Sequence, residues 1–353
     1  VEDYARLFYA LRSAGSRSLG EWLDGRLRDR ESPYAALAER GGEDPALEAA
    51  ARRDIETFTL LAELDWDQVL AEVGGKAPRE YGPVLANLPR WRGSSPFSFA
   101  ELTEFYRANG AGLFARHRAF LWEDGALCPV EQPDCPGADE MLGYELQRNR
   151  VIANTRAMLE GNLVNNVLLY GDSGTGKSAT VKNLLTLPGF EALRLIEVQK
   201  EGLADLPRLI RTLGGRRLKF ILFIDDLAFD QDDKTYSALK TILEGGLERR
   251  PANVAVYATS NRRRLVRQTF SDRAGDEVDA SETIQEKTSL SDRFGLRIPY
   301  LALNQAEFLE LVEGMAEQAG IALDRDSLRA EAVKWEMRNP GRTPRTAKQF
   351  IAS

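Results

Sequence analysis

At 353 residues, with 43% apolar and 29% charged side chains, the chain is long enough for two or three domains and has the balance of a globular protein. Its net charge of −7 excludes a global attraction to nucleic acid or to an anionic membrane and leaves any such contact to a local patch. No apolar run approaches the roughly 18 residues of a membrane span, and the single histidine, His117, argues against a histidine-based hydrolase triad.

The chain opens on Val1-Glu2-Asp3-Tyr4, without a basic-then-apolar leader and without Met. It is therefore expected to start inside a longer chain. Residues 1–138 read as helical. Tyr4, Leu7, Phe8 and Leu11 recur at helical spacing, as do Leu47, Ile55, Phe58, Leu61 and Leu64. Ser98-Phe99-Ala100-Glu101 has the form of a capping box, and Gly110 closes the helix it would start. No strand is predicted in this part. Cys128 and Cys135 lack further zinc ligands nearby and read as loop thiols of a reducing compartment, which implies a cytoplasmic location. Three prolines and a glycine in 128–138 mark the expected domain boundary.

Beyond it, short apolar runs at 167–170, 193–198, 220–224 and 254–259 alternate with helical segments. That alternation predicts a parallel sheet flanked by helices. A polar, acidic stretch at 271–283 reads as a loop. From Asn304 the pattern is helical again, with starts at Asn304-Gln305-Ala306-Glu307, Asp324 and Thr343.

Gly171, Asp172, Ser173, Gly174, Thr175, Gly176, Lys177 and Ser178 match GxxxxGK[ST] in full, and Ala179 continues into a helix. Glycines let the main chain wrap an anion, and the helix that follows offers its positive end to the same phosphates. Lys177 would neutralise the outer phosphates, and Ser178 would give an oxygen to Mg2+. The apolar run before the motif and the helix after it are the context that a nucleotide site requires. Some fifty residues later, Phe220-Ile-Leu-Phe-Ile224 runs into Asp225-Asp226. Asp225 would hold Mg2+, and Asp226 would polarise an attacking water.

Further runs are Gly143-Tyr144-Glu145-Leu146-Gln147, Asn154-Thr155, Asn165-Asn166 ahead of the 167–171 run, Leu243-Glu244-Gly245-Gly246, YATSNRR at 257–263 and QEKTSLSDRFG at 285–295. In these the chain resembles the AAA+ ATPases and, more narrowly, is similar to the bacterial family called domain of unknown function 815. The resemblance implies an α/β P-loop AAA+ core at 139–300, a C-terminal helical lid at 301–353 and, ahead of both, an all-α domain at 1–138. It also implies ATP and Mg2+ as ligands. By resemblance Asn261 is sensor 1, Arg293 is an arginine finger, and Arg345 is sensor 2, with Arg342 as its competitor. Tyr144 or Leu142 would pack on the adenine. A finger that reaches the neighbouring nucleotide implies a homo-oligomer with head-to-tail interfaces. One departure stands out: many AAA+ motors end this strand in Asp-Glu, whereas Asp225-Asp226 resembles initiator and helicase-loader ATPases and implies slower turnover.

These residues predict an oligomeric ATPase that remodels a macromolecular client, protein or DNA, away from the membrane. The alternative is a nucleotide-switched loader acting on DNA, motivated by the Asp pair and by Arg262, Arg263, Arg264 and Arg267. A small-molecule kinase would leave Asn261 and Arg293 without a role.

Overall fold

The computed structural model describes residues 2–353 apart from 65, 77, 89, 91–92, 229–238, 241, 244–249, 262–289, 322–323 and 340. The chain forms two compact units, Val1–Arg116 and His117–Ser353.

The first unit is helical: α1 (Glu2–Ser13), α2 (Leu19–Asp29), α3 (Pro33–Arg40), α4 (Pro45–Ala62), α5 (Trp66–Lys76), α6 (Gly82–Ala86), α7 (Phe99–Asn109) and α8 (Leu113–Arg116). Its helices start where short polar side chains can take up free N–H groups. Ser32 and Asp44 cap α3 and α4, each followed by a proline at the first helical position. Ser98 caps α7, and Gly110 ends it at φ 81°. Ser98 Oγ accepts the Glu101 N–H at 3.2 Å and donates to the Glu101 carboxylate at 2.8 Å. Tyr34, Ile55, Leu102 and Tyr106 centre the core of this unit.

The second unit is built on a seven-stranded sheet among the described residues. Its strands are β1 (Ala119–Glu123), β2 (Ala126–Pro129), β3 (Val167–Gly171), β4 (Leu193–Val198), β5 (Lys219–Ile224), β6 (Val254–Ser260) and β7 (Leu296–Tyr300). They lie in the order β2-β1-β4-β5-β6-β3-β7, and every neighbouring pair is parallel except β1 with β2. Helices α9 (Glu145–Leu159), α10 (Lys177–Asn183) and α11 (Leu206–Leu213) connect the strands. The four predicted runs are β3, β4, β5 and β6, and their buried residues on both faces explain the lack of polar alternation.

One expectation is corrected. Residues 119–129 are not helical: they form a hairpin whose first strand extends the sheet beside β4. The turn is Asp124-Gly125, at φ 49° and 74°, the left-handed pair that tight hairpins favour. Strand β7 lies outside the runs read from the sequence. It is an edge strand, where Pro299 is tolerated. Cys128 lies on β2 and Cys135 beyond it, and both are free thiols.

Helices α12 (Gln305–Gln318), α13 (Arg325–Arg338) and α14 (Pro344–Ile351) close the chain around Phe308, Val312, Leu328, Ala332 and Ala347. Asn304 and Glu307 form the expected reciprocal cap, and Asp324 and Thr343 start the next two helices. No described helix is long and apolar enough to cross a membrane.

Parallel pairing brings the C-terminal ends of β3, β5, β6 and β7 to one side of the sheet. That is where open α/β sheets collect ligand-binding loops.

Candidate phosphate-binding site

The loop after β3 is shaped by its glycines. Gly171, Gly174 and Gly176 sit at φ 136°, 77° and 90°, conformations that other residues rarely adopt. A Cβ on Gly171 would lie 2.2 Å from the Tyr300 carbonyl oxygen, and one on Gly174 would lie 2.9 Å from Arg345 Cβ. Those two positions thus admit close approach by β7 and by α14. Asp172 fastens the loop to the end of β7. Its N–H donates to the Tyr300 carbonyl at 2.9 Å, and its carboxylate accepts the Ala302 N–H at 2.6 Å. The Thr175 hydroxyl donates to the Asp172 carbonyl at 2.8 Å and closes the turn.

Lys177, 6% exposed, is the first residue of α10. Its ammonium donates to the Gly171 and Asp172 carbonyls at 3.2 and 2.7 Å and to Asn261 Oδ1 at 2.9 Å. Burial lowers its pKa from the usual 10.5, against the opposing pull of Asp172, Asp226 and Asp225. Asn261 Nδ2 in turn donates to Asp226 Oδ1 at 2.8 Å. Lys177, Asn261 and Asp226, from three separate segments of the chain, are thereby joined in one line.

Asp225 and Asp226 follow the last residue of β5. Asp225 Oδ1 accepts the Ser178 hydroxyl at 2.6 Å and the Thr259 hydroxyl. Asp226 stands at φ 50°. Ser178 and Asp225 supply a hydroxyl and a carboxylate oxygen, the hard donors that Mg2+ selects. Among the described residues no group of three or more His, Cys, Asp or Glu could hold a metal. A cation at this pair would complete its shell with phosphate oxygens and water.

These groups line one cavity of about 630 Å³ together with Ser173, Gly174, Thr175, Gly176, Ala179, Tyr144, Leu142 and Arg345, a size that suits a small-molecule ligand. Tyr144 holds φ 55° at the start of α9 and stacks on Tyr300 with ring centroids 5.0 Å apart. Its hydroxyl donates to the Leu301 carbonyl at 2.6 Å. The Tyr300 hydroxyl pairs with Thr180 at 2.9 Å. Burial pushes the Tyr144 phenol up and that of Tyr300 up to about 12, so both remain neutral in ordinary buffers. Leu142 packs with the cluster formed by α12, α13 and α14.

Arg345, on α14, reaches the loop. Its N–H donates to the Gly174 carbonyl at 3.2 Å, and its guanidinium donates to Ser173 Oγ at 3.3 Å. Arg342 instead pairs with Glu336 at 2.6 Å and is not among the cavity residues.

Arg293 stands apart from the cavity. It lies in a turn closed by its N–H to the Leu290 carbonyl, three residues ahead of β7. Leu296 is level with Val167 and Tyr300 with Gly171, so Arg293 and the phosphate loop are at opposite ends of β7. Five residues of strand amount to about 16 Å, farther than an arginine side chain extends. The basic run at 262–267 and the acidic stretch at 271–283 lie outside the described residues. Thr259, Tyr300 and Arg148 also line the cavity; Thr259 lies within the 257–263 run without a role assigned from the sequence, and Tyr300 and Arg148 belong to no motif read there.

The profile of the family described as "Protein of unknown function (DUF815)" matches residues 115–353. No curated protein matches the chain. Among solved structures the chain is similar to the Thermotoga maritima RuvB Holliday junction branch migration motor, at 17% identity and a TM-score of 0.39, over 62% of this chain and 63% of that one. Two variants of RuvB give 16% and 15% identity with TM-scores of 0.40 and 0.41, over 62% and 63% of this chain and 64% of each of theirs. The chain therefore spans less than two thirds of the length of these structures.

Proposed function

The chain belongs to the family described as protein of unknown function 815, and from this premise and the sheet that carries the site we propose that it is an AAA+ ATPase, which binds ATP with Mg2+ and hydrolyses it as an oligomer to remodel a macromolecular client. The observation that carries this reading is the convergence of Lys177, Ser178, Asp225, Asp226, Asn261 and Arg345 on one cavity beside a glycine-shaped loop. Main-chain N–H groups at 173–178 and the Lys177 ammonium bind the phosphates. Ser178 and Asp225 hold Mg2+, which screens phosphate charge when it is bound. Asp226 polarises the attacking water, and the Asn261 amide orients it beside the outermost phosphate. Arg345 contacts phosphate from α14. Tyr144 and Leu142 border the space for the base.

Arg293 is assigned to a neighbouring copy's phosphates. Its place at the far end of β7 supports this, because its own loop is out of reach. Its planar donors suit charge spread over phosphate oxygens.

ATP turnover with and without Lys177→Ala tests the proposal. Loss of turnover in the variant is the expected result, and equal turnover would reject the site.

A further inference from the structure

Thr259 is the sixth residue of β6 and 2% exposed. Its hydroxyl donates to Asp225 Oδ1 and accepts the Asp226 N–H at 2.9 Å. Its carbonyl accepts the Leu227 N–H at 2.7 Å. One buried residue of β6 thus fixes two consecutive carboxylates at the end of β5, Asp225 through its side chain and Asp226 through its main chain.

The bonds to Asp225 differ in kind. The Ser178 hydroxyl also lands on Oδ1, at 2.6 Å, and so does the Asp226 N–H, at 3.2 Å. Gathering the donors on Oδ1 leaves Oδ2 for another partner. Ser178 is exposed to the cavity and shares its oxygen with any cation held there. Thr259, buried and carried by a central strand, keeps its hydroxyl between Asp225 and the Asp226 N–H. Its branched Cβ restricts χ1, so the hydroxyl is held in place by the strand itself. A carboxylate is otherwise loose about its terminal torsion. Groups of this kind, one bond removed from a metal ligand, set the orientation and affinity of the ligand itself.

We infer that Thr259 is the positioning residue of the cation site: it locks the Asp225 carboxylate for a divalent cation and pins Asp226 in its left-handed conformation. The inference rests on the ATP–Mg2+ reading above and assigns a role within that site.

The test is Mn2+ binding, followed by electron paramagnetic resonance, to the full chain loaded with a non-hydrolysable ATP analogue. Thr259→Val keeps the branched shape and removes the hydroxyl. It is expected to weaken Mn2+ about tenfold, while Thr259→Ser stays within about threefold of the wild type. Affinity for the same analogue in EDTA should be unchanged in both, an outcome that general loosening of the fold would not give. Wild-type Mn2+ affinity in Thr259→Val overturns the inference, and so does a serine variant as weak as the valine one. If Thr259→Val does not fold, Thr259→Ala takes its place in the same titration. A wild-type chain that binds the analogue but no Mn2+ overturns the cation reading itself, and this inference with it.

Discussion

Lys177 donates to the side-chain oxygen of Asn261 at 2.9 Å, so the principal cation of the site is already engaged by the residue that also holds Asp226. In the proposed reaction, phosphate oxygens would draw Lys177 away from that amide, and Asn261 would then turn toward water beside the outermost phosphate. Asn261→Ala should lower turnover by about tenfold or more, the scale on which a positioned polar group in a reaction site acts. Nucleotide affinity should fall much less. Single-turnover rates and equilibrium binding separate the two; equal losses in both would make Asn261 a binding residue.

The protonation of Lys177 gives a second prediction. Burial holds its pKa below 10.5 in the folded protein. Between the folded and the unfolded value the unfolded chain binds more protons, so this group's contribution to stability rises with pH across that alkaline window. Bound triphosphate would raise the folded pKa by adding negative charge. ATP binding should therefore take up protons in the same window, seen as a dependence of calorimetric heat on the buffer's ionisation enthalpy. Lys177→Met should abolish that dependence.

Mixing two inactive variants tests the far end of β7. Arg293→Ala keeps an intact phosphate loop, and Lys177→Ala keeps an intact Arg293. If the guanidinium serves a neighbouring copy, mixed assemblies should recover turnover that neither variant has alone. No recovery across mixing ratios would place Arg293 in a structural role.

Arg345 and Arg342 are three residues apart, and the structure separates their surroundings. Arg345 contacts Ser173, whereas Arg342 is spent on Glu336. Arg345→Ala should lower ATP affinity or turnover about tenfold, the scale of one charge-assisted hydrogen bond. Arg342→Ala should leave both near the wild-type level and lower the melting temperature slightly.

The pairing of α12 with α13 has a measurable acid dependence. Hydrogen bonds from Arg325 and Arg329 hold the Glu313 carboxyl down to about 2, from the usual 4.5. The stability contributed by this group is full above 4.5 and is lost as the pH falls toward 2. The pairs are partly solvent-exposed, which limits their worth to about 1 kcal/mol. Glu313→Gln should lower the melting temperature at neutral pH, and the gap to the wild type should close in acid.

What was readable in the sequence follows from how local each signal is. The loop from Gly171 to Ser178 needs only its own residues and the strand before it, so its position and chemistry could be stated at once. The four central strands read as mainly apolar runs because both their faces are buried, although β4 carries Arg194 and Glu197. Strand β7 escaped because Arg297 and Pro299 interrupt its apolar residues, which an edge strand permits. The β1–β2 hairpin escaped although Asp124-Gly125 is a recognisable turn pair; strands of five and four residues among long helical segments offer little periodicity. Thr259 stands in a run that the sequence displays, but its role could not be read there. Its role depends on the pairing of β5 with β6, and nothing in Ala258-Thr259-Ser260 states which strand lies alongside.

The φ of 50° at Asp226 bears on why this strand ends in two aspartates. Left-handed main chain is tolerated by Asp and Asn, whose short polar side chains can bond locally, and resisted by longer residues. A glutamate here would add reach toward water but would work against the backbone that presents it. The reach of this acid is therefore bounded by the main chain that carries it, and a longer side chain at this position would have to unbend the turn before it could act.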